Sequence, residues 1–349
     1  MLNLVRLIMI LLIVLVGVAF LTLLERKILG YVQLRKGPNK VGIVGIFQPF
    51  RDAVKLFKKE FFVIYKSNYY LFYICPVLLI FIILLNWIIM PMITNIYYIN
   101  YSLLIIIIIL TIIGYIFLLI GWSSNSVYSI IGAMRVVAQT LSYEVRFIII
   151  ILITIILRER YSVSDYIKWQ RYMWYLVLLF PLFLVFFVRV LAELNRSPMD
   201  FVEGESELVS GFNIEYFRGG FALIFIAEYG IIIFFRYVML LLFTNIYVYV
   251  YIMCIFINVM VLLIIFIRGL LPRMRYDELI YLCWKIILPL VLNYMVLVIR
   301  FKFIFIIVIY EKINRKFKIS FIYFQNIFLY KIINLIKGKI FSDIMNSWK

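Results

Sequence analysis

Histidine is absent from all 349 residues. A haem held by two imidazoles, or an imidazole copper site, therefore cannot be built from this chain. Cysteine is scarce: Cys75, Cys254 and Cys283 lie far apart, in or beside apolar segments. They form neither a metal-ligand spacing nor a disulfide framework and read as structural thiols. Charge is sparse, at 15% of the residues, and one-sided, with 17 acidic side chains against 35 basic ones. No internal repeat stands out, and no composition shift marks a separate soluble domain.

Hydrocarbon fills the chain instead. Hydrophobic residues make up 66% of it and the mean hydropathy is +1.10, against roughly 45–50% apolar residues in soluble domains. A spanning helix needs about 20 mostly apolar residues. Eight such segments can be placed, near 4–24, 69–90, 99–120, 136–157, 173–192, 219–241, 246–267 and 285–309. The expected fold is an all-α polytopic membrane bundle over 1–309, followed by a basic extension, 310–349, that is either a surface amphipathic helix or a ninth span. The net charge of +18 belongs to loops between apolar runs, which disfavours nucleic acid as a partner. The N-terminal run is too long for a signal peptide and lacks a small-residue cleavage site, so it reads as a retained helix with no transit peptide before it. Heavy use of Ile, Phe, Tyr, Asn and Lys suggests AT-rich coding DNA, as in an organelle.

Sidedness follows from the basic loops. The first loop carries Arg26, Lys27, Arg35, Lys36, Lys40, Arg51, Lys55, Lys58, Lys59 and Lys66, and the last carries Arg268, Arg273 and Arg275. The positive-inside rule places both on the cytoplasmic or matrix side. The termini and the 4–5 loop then fall opposite, where Arg158, Arg160, Lys168 and Arg171 fit poorly. Within the first loop, "QPFRDAVKLFKKEF" opens on Pro49 and repeats Phe50, Ala53, Val54 and Phe57 at helical spacing. It is too short and charged to span, and so is expected at the membrane surface.

Charges inside the apolar segments are costly, about 2.5–3.5 kcal/mol each at a helix centre, and must face protein or water. Segment four must begin near Val136 to be long enough, which carries Glu144 and Arg146 into the bilayer. Segment five ends with Arg189 and Glu193 four residues apart on one face, and segment six holds Glu228 and Arg236. Between these two lies "AELNRSPMDFVEGESELVSGFNIEY", with Glu193, Asp200, Glu203, Glu205, Glu207 and Glu215. Ser197, Pro198 and Asp200 have a helix-start pattern, while Gly204 and Gly211 interrupt the rest of the loop, so short helices are expected there. Crowded carboxylates repel, which raises some of them toward neutral pH and suits proton transfer; Arg196, Arg273 and Arg275 are available to hold others ionised.

These residues also carry a resemblance. "LERKILGYVQLRKGPNKVG", "QPFRDAVKLFKKE", "AMRVVAQTLSYEV", the acidic loop, "ALIFIAEYG" and "PRMRYDELIYLCWKIILPL" resemble, in order over about 18–295, subunit 1 of the proton-pumping NADH:ubiquinone oxidoreductase, respiratory complex I. The resemblance implies a membrane subunit of a translocase at the junction with the peripheral arm, multi-pass in the mitochondrial inner membrane or, alternatively, a bacterial plasma membrane. It implies ubiquinone as substrate, with FMN and iron–sulfur clusters in partner subunits and no metal or cofactor in this chain. The implied partners are the quinone-site and terminal iron–sulfur subunits, neighbouring membrane-arm subunits and membrane lipids. Asp200, Glu203, Glu205 and Glu207 match a polar funnel leading from the quinone chamber, and Glu144, Glu193 and Glu228 match carboxylates that continue it as a proton path. Glu25, Arg26, Phe50, Asp52, Arg135, Arg196, Glu215, Arg273, Arg275 and Asp277 match positions around the quinone cavity and interface. Lys40 and Arg51 depart from the family pattern by being charged, and Met199 and Met274 by not being aromatic. A stand-alone proton or cation transporter and a structural scaffold are the competing readings, the first weakened by the lack of an inverted repeat, the second by the cost of the intramembrane charges.

Overall fold

In lipid every backbone N–H and C=O must find its partner within the chain, so long apolar segments become helices. The computed structural model describes residues 2–60, 65–89, 99–170, 174–200, 211–245 and 250–316, and every regular element among them is helical. The elements are α1 (Leu2–Val32), α2 (Gln48–Lys58), α3 (Tyr69–Ile89), α4 (Ser102–Ser123), α5 (Val127–Arg158), α6 (Val163–Trp169), α7 (Tyr175–Leu178), α8 (Phe180–Glu193), α9 (Arg218–Phe243), α10 (Val250–Leu270), α11 (Tyr276–Tyr281) and α12 (Leu288–Lys316). A π-helical stretch, Leu282–Ile287, joins the last two. Residues 1–295 form one compact unit, and a second begins at Val296 within α12.

Among the described residues seven helical stretches are long and apolar enough to cross a membrane, one fewer than the eight segments expected. The difference is segment five. Leu179 leaves helical geometry there, so the run is the four-residue α7 followed by α8, with Pro181 in its first turn. Proline is tolerated in a first turn, where its missing N–H has no partner to lose. Counted as one broken crossing, α7 and α8 make the contacts sort to two ends of the bundle. At one end Asn68 N donates to Ser123 O (2.9 Å), Asn125 Nδ2 to Lys66 O (3.1 Å), Met274 N to Pro198 O (2.9 Å) and Arg218 Nε to Phe57 O (3.2 Å). At the other, Val163 N donates to Ser102 Oγ (2.8 Å), Leu103 N to Tyr161 O (3.4 Å) and Gln170 Nε2 to Leu242 O (2.7 Å). Alternating crossings require this division.

The 4–5 loop keeps its misfit with the charge rule, but its basic residues have local partners. Arg158 is buried against the Tyr166 ring, while Arg160 and Lys168 both pair with the buried Asp165, at 3.7 and 3.6 Å. One carboxylate offsets part of their charge; Arg171 lies outside the described residues.

Helix ends differ from the expected ones for a common reason. Glu25 and Arg26 end the first apolar run in sequence, yet α1 continues to Val32; α5 starts at Val127, nine residues before Val136. The polar residues in these extensions have partners, which apolar counting does not register. The Ser197, Pro198 and Asp200 pattern does not start a helix within the described residues: Ser197 and Pro198 lie in a turn, Met199 in a bend, and Asp200 in irregular chain. Beyond them 201–210 lie outside the described residues, and a short 3-10 turn, Gly211–Asn213, comes next.

The centre of the bundle is α9. Its apolar window is 78% buried, against 22% for α1 and 17% for α10, and it packs on α1, α2, α3 and α10. On the other flank α4 packs between α3 and α5. Gly132 lets α5 approach the Gly211–Asn213 turn, because a Cβ at 132 would lie 3.0 Å from Gly211 Cα and Phe212 N. Gly211 itself has φ of +58°, in the left-handed region. The surface helix α2 keeps the expected form: Phe50, Val54 and Phe57 stay exposed although apolar, and so do Arg51, Lys55, Lys58 and Lys59. Such a helix is placed to lie in the interface plane.

Candidate functional site

The expected site residues gather in separate sets, most of them toward the end where α2 lies. The first set stands where α1, α9 and α10 meet. Glu25 of α1 accepts a hydrogen bond from the Tyr229 hydroxyl of α9 at 2.6 Å and pairs with Arg268 of α10. One residue before Tyr229, Glu228 pairs with Arg196 across 3.4 Å, and the Arg196 guanidinium sits 4.9 Å from the Tyr229 ring centre. Glu25, Arg196 and Glu228 are all buried. Glu25 and Arg196 thus both meet Tyr229, one at its hydroxyl and one at its ring, and each holds an ion partner of its own, in an interior where such interactions are stronger than in water.

The second set lies between α5 and α8. Arg189 Nη2 and Glu193 Oε2 form an ion pair at 2.6 Å, one helical turn apart. The contact is a charge pair rather than an aligned hydrogen bond, since Arg189 donates none within hydrogen-bond geometry. Aromatic faces supply the remaining support: the Arg189 guanidinium is 3.4 Å from the Phe147 ring centre and 5.0 Å from that of Phe235. Glu144, also buried, is within electrostatic reach of both Arg189 and Glu193. It points at α4, where a Cβ added to Gly114 would come within 3.9 Å of Glu144 Oε1. Arg146 folds back, Nη2 donating to Ser142 O at 2.5 Å over the Tyr143 ring.

Gln139 ties α5 to the chain that joins these sets. Its Nε2 donates to Ala192 O at 2.6 Å and to Met199 O at 3.1 Å. That holds the segment running from Glu193 through Arg196 to Asp200 against α5. Asp200 is buried and meets Arg273 at 3.5 Å.

Other expected residues stand apart. Arg26 pairs with Asp52 at 2.5 Å, and Asp52 also accepts from Gln48 Nε2 at 3.0 Å, which fixes α2 against α1. Phe50 packs edge-on against Phe20, ring centres 6.0 Å apart. Arg135 lies 5.8 Å from the Tyr276 ring centre. The Arg275 and Asp277 pair, at 3.5 Å, is exposed and contributes little there. Glu215 is half-buried beside Tyr216, whose hydroxyl meets Ser123 Oγ at 2.9 Å; burial pushes that phenol above its ordinary value, so it stays protonated. Glu203, Glu205 and Glu207 lie outside the described residues. Among the described residues no three His, Cys, Asp or Glu side chains gather as a metal site.

Sequence reading did not assign Tyr229 or Arg268 to the site. Tyr229 carries only the weak signal of standing next to a buried glutamate. Arg268 carries none, since 243 residues separate it from Glu25.

A family profile described as NADH dehydrogenase matches residues 5–299. The chain is 49% identical over 282 residues to NADH-ubiquinone oxidoreductase chain 1 of Aedes aegypti, covering 81% of this chain and 90% of the relative. It is 49% identical over 286 residues to the protein of that name from Locusta migratoria, again covering 81% and 90%. For the Apis mellifera ligustica protein the identity is 44% over 292 residues, covering 84% and 95%.

Proposed function

From the premise that this chain belongs to the NADH dehydrogenase family, the family of chain 1 of NADH-ubiquinone oxidoreductase, we propose that it forms the membrane end of a ubiquinone chamber and couples quinone reduction to proton translocation. The observation that carries this reading is the constellation of buried Glu25, Tyr229, Glu228 and Arg196 with the half-buried Arg268. A reduced quinone needs protons, and two carboxylates joined through one phenol and two guanidiniums can exchange partners when one of them gains or loses a proton. Arg196 is the pivot. Protonation of Glu228 weakens its hold on Arg196, and the segment from Glu193 to Asp200, which bears Arg196, carries that change to Glu193, Arg189 and Glu144. Asp200, with Glu203, Glu205 and Glu207, forms the funnel between chamber and path. Arg26, Asp52, Phe50, Arg135, Glu215, Arg273, Arg275 and Asp277 shape the cavity wall and its interface with partner subunits.

On this reading the chain works within NADH:ubiquinone oxidoreductase in the mitochondrial inner membrane, surrounded by lipid. Its partners are the quinone-site and iron–sulfur subunits of the peripheral arm and its membrane-arm neighbours. The redox groups, FMN and the iron–sulfur clusters, belong to those partners. Glu228→Gln in the assembled enzyme should lower both NADH:quinone reductase activity and pumping at least tenfold, and Glu203→Gln or Glu205→Gln should lower both. Electron transfer from NADH to a small soluble acceptor that bypasses quinone should be unchanged. Normal quinone turnover and pumping in all three variants would overturn the proposal.

A further inference from the structure

A cavity of about 380 Å³ opens between the end of α2, the start of α3 and the start of α9, in the size range of small-molecule sites, roughly 300–1,000 Å³. Phe57, Phe72, Pro76, Val77 and Leu223 form its apolar walls, and Arg218 is the one full charge among the described lining residues. No residue of α1 lines it, and none of the groups assigned above to the quinone cavity or the proton path does. The wall toward lipid is open: Phe57, Val77 and Phe217 are all more than half exposed.

We propose that this cavity holds one acyl chain of an anionic phospholipid, with the headgroup phosphate against Arg218. Charge selects the occupant. The Arg218 Nε hydrogen bond to Phe57 O, 3.2 Å, fixes the guanidinium where α2 ends, and the exposed Lys55, Lys58 and Lys59 stand on the same segment, against Glu60 as the one acidic neighbour in that run. Arg218 in the wall of an apolar slot, with exposed lysines along the adjoining helix, matches a phosphate beside a hydrocarbon tail. Arginine suits the phosphate because its planar fork offers paired donors. Gly219 and Gly220 keep the slot clear; a Cβ at 219 would meet only the Phe57 ring edge, at 3.9 Å. A quinone tail could share the hydrocarbon slot but offers Arg218 no anion.

The test uses the assembled enzyme in phosphatidylcholine nanodiscs containing a small fraction of phosphatidylglycerol with a diazirine on its acyl chain. Photolabelling mapped by mass spectrometry should fall on the α3 and α9 residues of the slot, about fivefold more than with the matching phosphatidylcholine probe, one basic residue's share of the attraction to an anionic lipid. Val77→Trp and, independently, Gly219→Leu should abolish this labelling by filling the slot. Arg218→Gln should keep the labelling but remove the preference for phosphatidylglycerol. Equal labelling by the two probes in the unaltered enzyme would overturn the proposal. So would labelling that excess ubiquinone displaces and excess unlabelled phosphatidylglycerol does not.

Discussion

Arg189 and Arg236 pose opposite problems in the same bundle. Arg189 has a carboxylate one turn away and aromatic faces around it, whereas the equally buried Arg236 has no ion-pair partner among the described residues, and its Nε and Nη1 make no hydrogen bond. Breaking a buried pair costs about 3–5 kcal/mol because one charge is stranded, while replacing both partners by apolar groups is often neutral. Arg189→Leu should therefore lower the thermal stability of the detergent-solubilised enzyme strongly, and Arg189→Leu with Glu193→Leu should restore most of it. A double variant as unstable as the single one would mean the pair is not coupled. Arg236→Met should leave stability unchanged or raise it, since an uncompensated buried charge is removed; a fall in the same melting measurement would place its countercharge on a neighbouring subunit. The Arg189 pairing was legible in the sequence because four-residue spacing puts both groups on one face. The Glu25 contacts were not, because nothing local links residues that meet only after three helices have packed.

Elements were legible where a periodic pattern had no competitor. Pro49, Phe50, Ala53, Val54 and Phe57 announce α2, and the structure gives Gln48–Lys58. The break at Leu179 was not legible, since both halves of that run are equally apolar. Neither was the true reach of α1 and α5, whose polar residues look like ends until their partners are known. At this scale Gly132 is the test of packing. Gly132→Val would drive its Cβ into the backbone of the Gly211–Asn213 turn, 3.0 Å away. Backbone cannot swing aside as a side chain does, so the assembled enzyme should form in reduced yield, read on a native gel stained for NADH dehydrogenase activity. Normal yield would mean that the turn relaxes without consequence.

For the whole molecule, alternating crossings put the described parts of the α1–α3 connection, residues 194–200 and 211–217, and the α10–α11 connection at one end, together with most of the described site residues. Single cysteines introduced in a cysteine-free background report on this directly. Lys36→Cys and Arg273→Cys should react with an impermeant maleimide from the same side of sealed vesicles, and Tyr101→Cys from the opposite side. Labelling of Lys36→Cys and Tyr101→Cys from one side would refute the topology. The fold class was legible from hydropathy alone. The two-ended division of charge was only half so, because the 4–5 loop keeps basic residues at the other end, held by a phenol ring and a single buried aspartate.

That division also has an electrical side. Glu25 lies seven residues from the end of α1 and Glu228 ten from the start of α9, roughly 10–15 Å of helix, whereas Glu144 lies 17 residues into the 32 of α5. A proton that reaches Glu144 from that end of the bundle therefore samples part of the voltage drop and not all of it. At about 2.3 kcal/mol per full charge per 100 mV, reaching mid-membrane is worth roughly half that. The charged membrane itself then acts on the occupancy of Glu144 far more than on that of Glu25, and a respiring and an uncoupled membrane would leave the two carboxylates in different states.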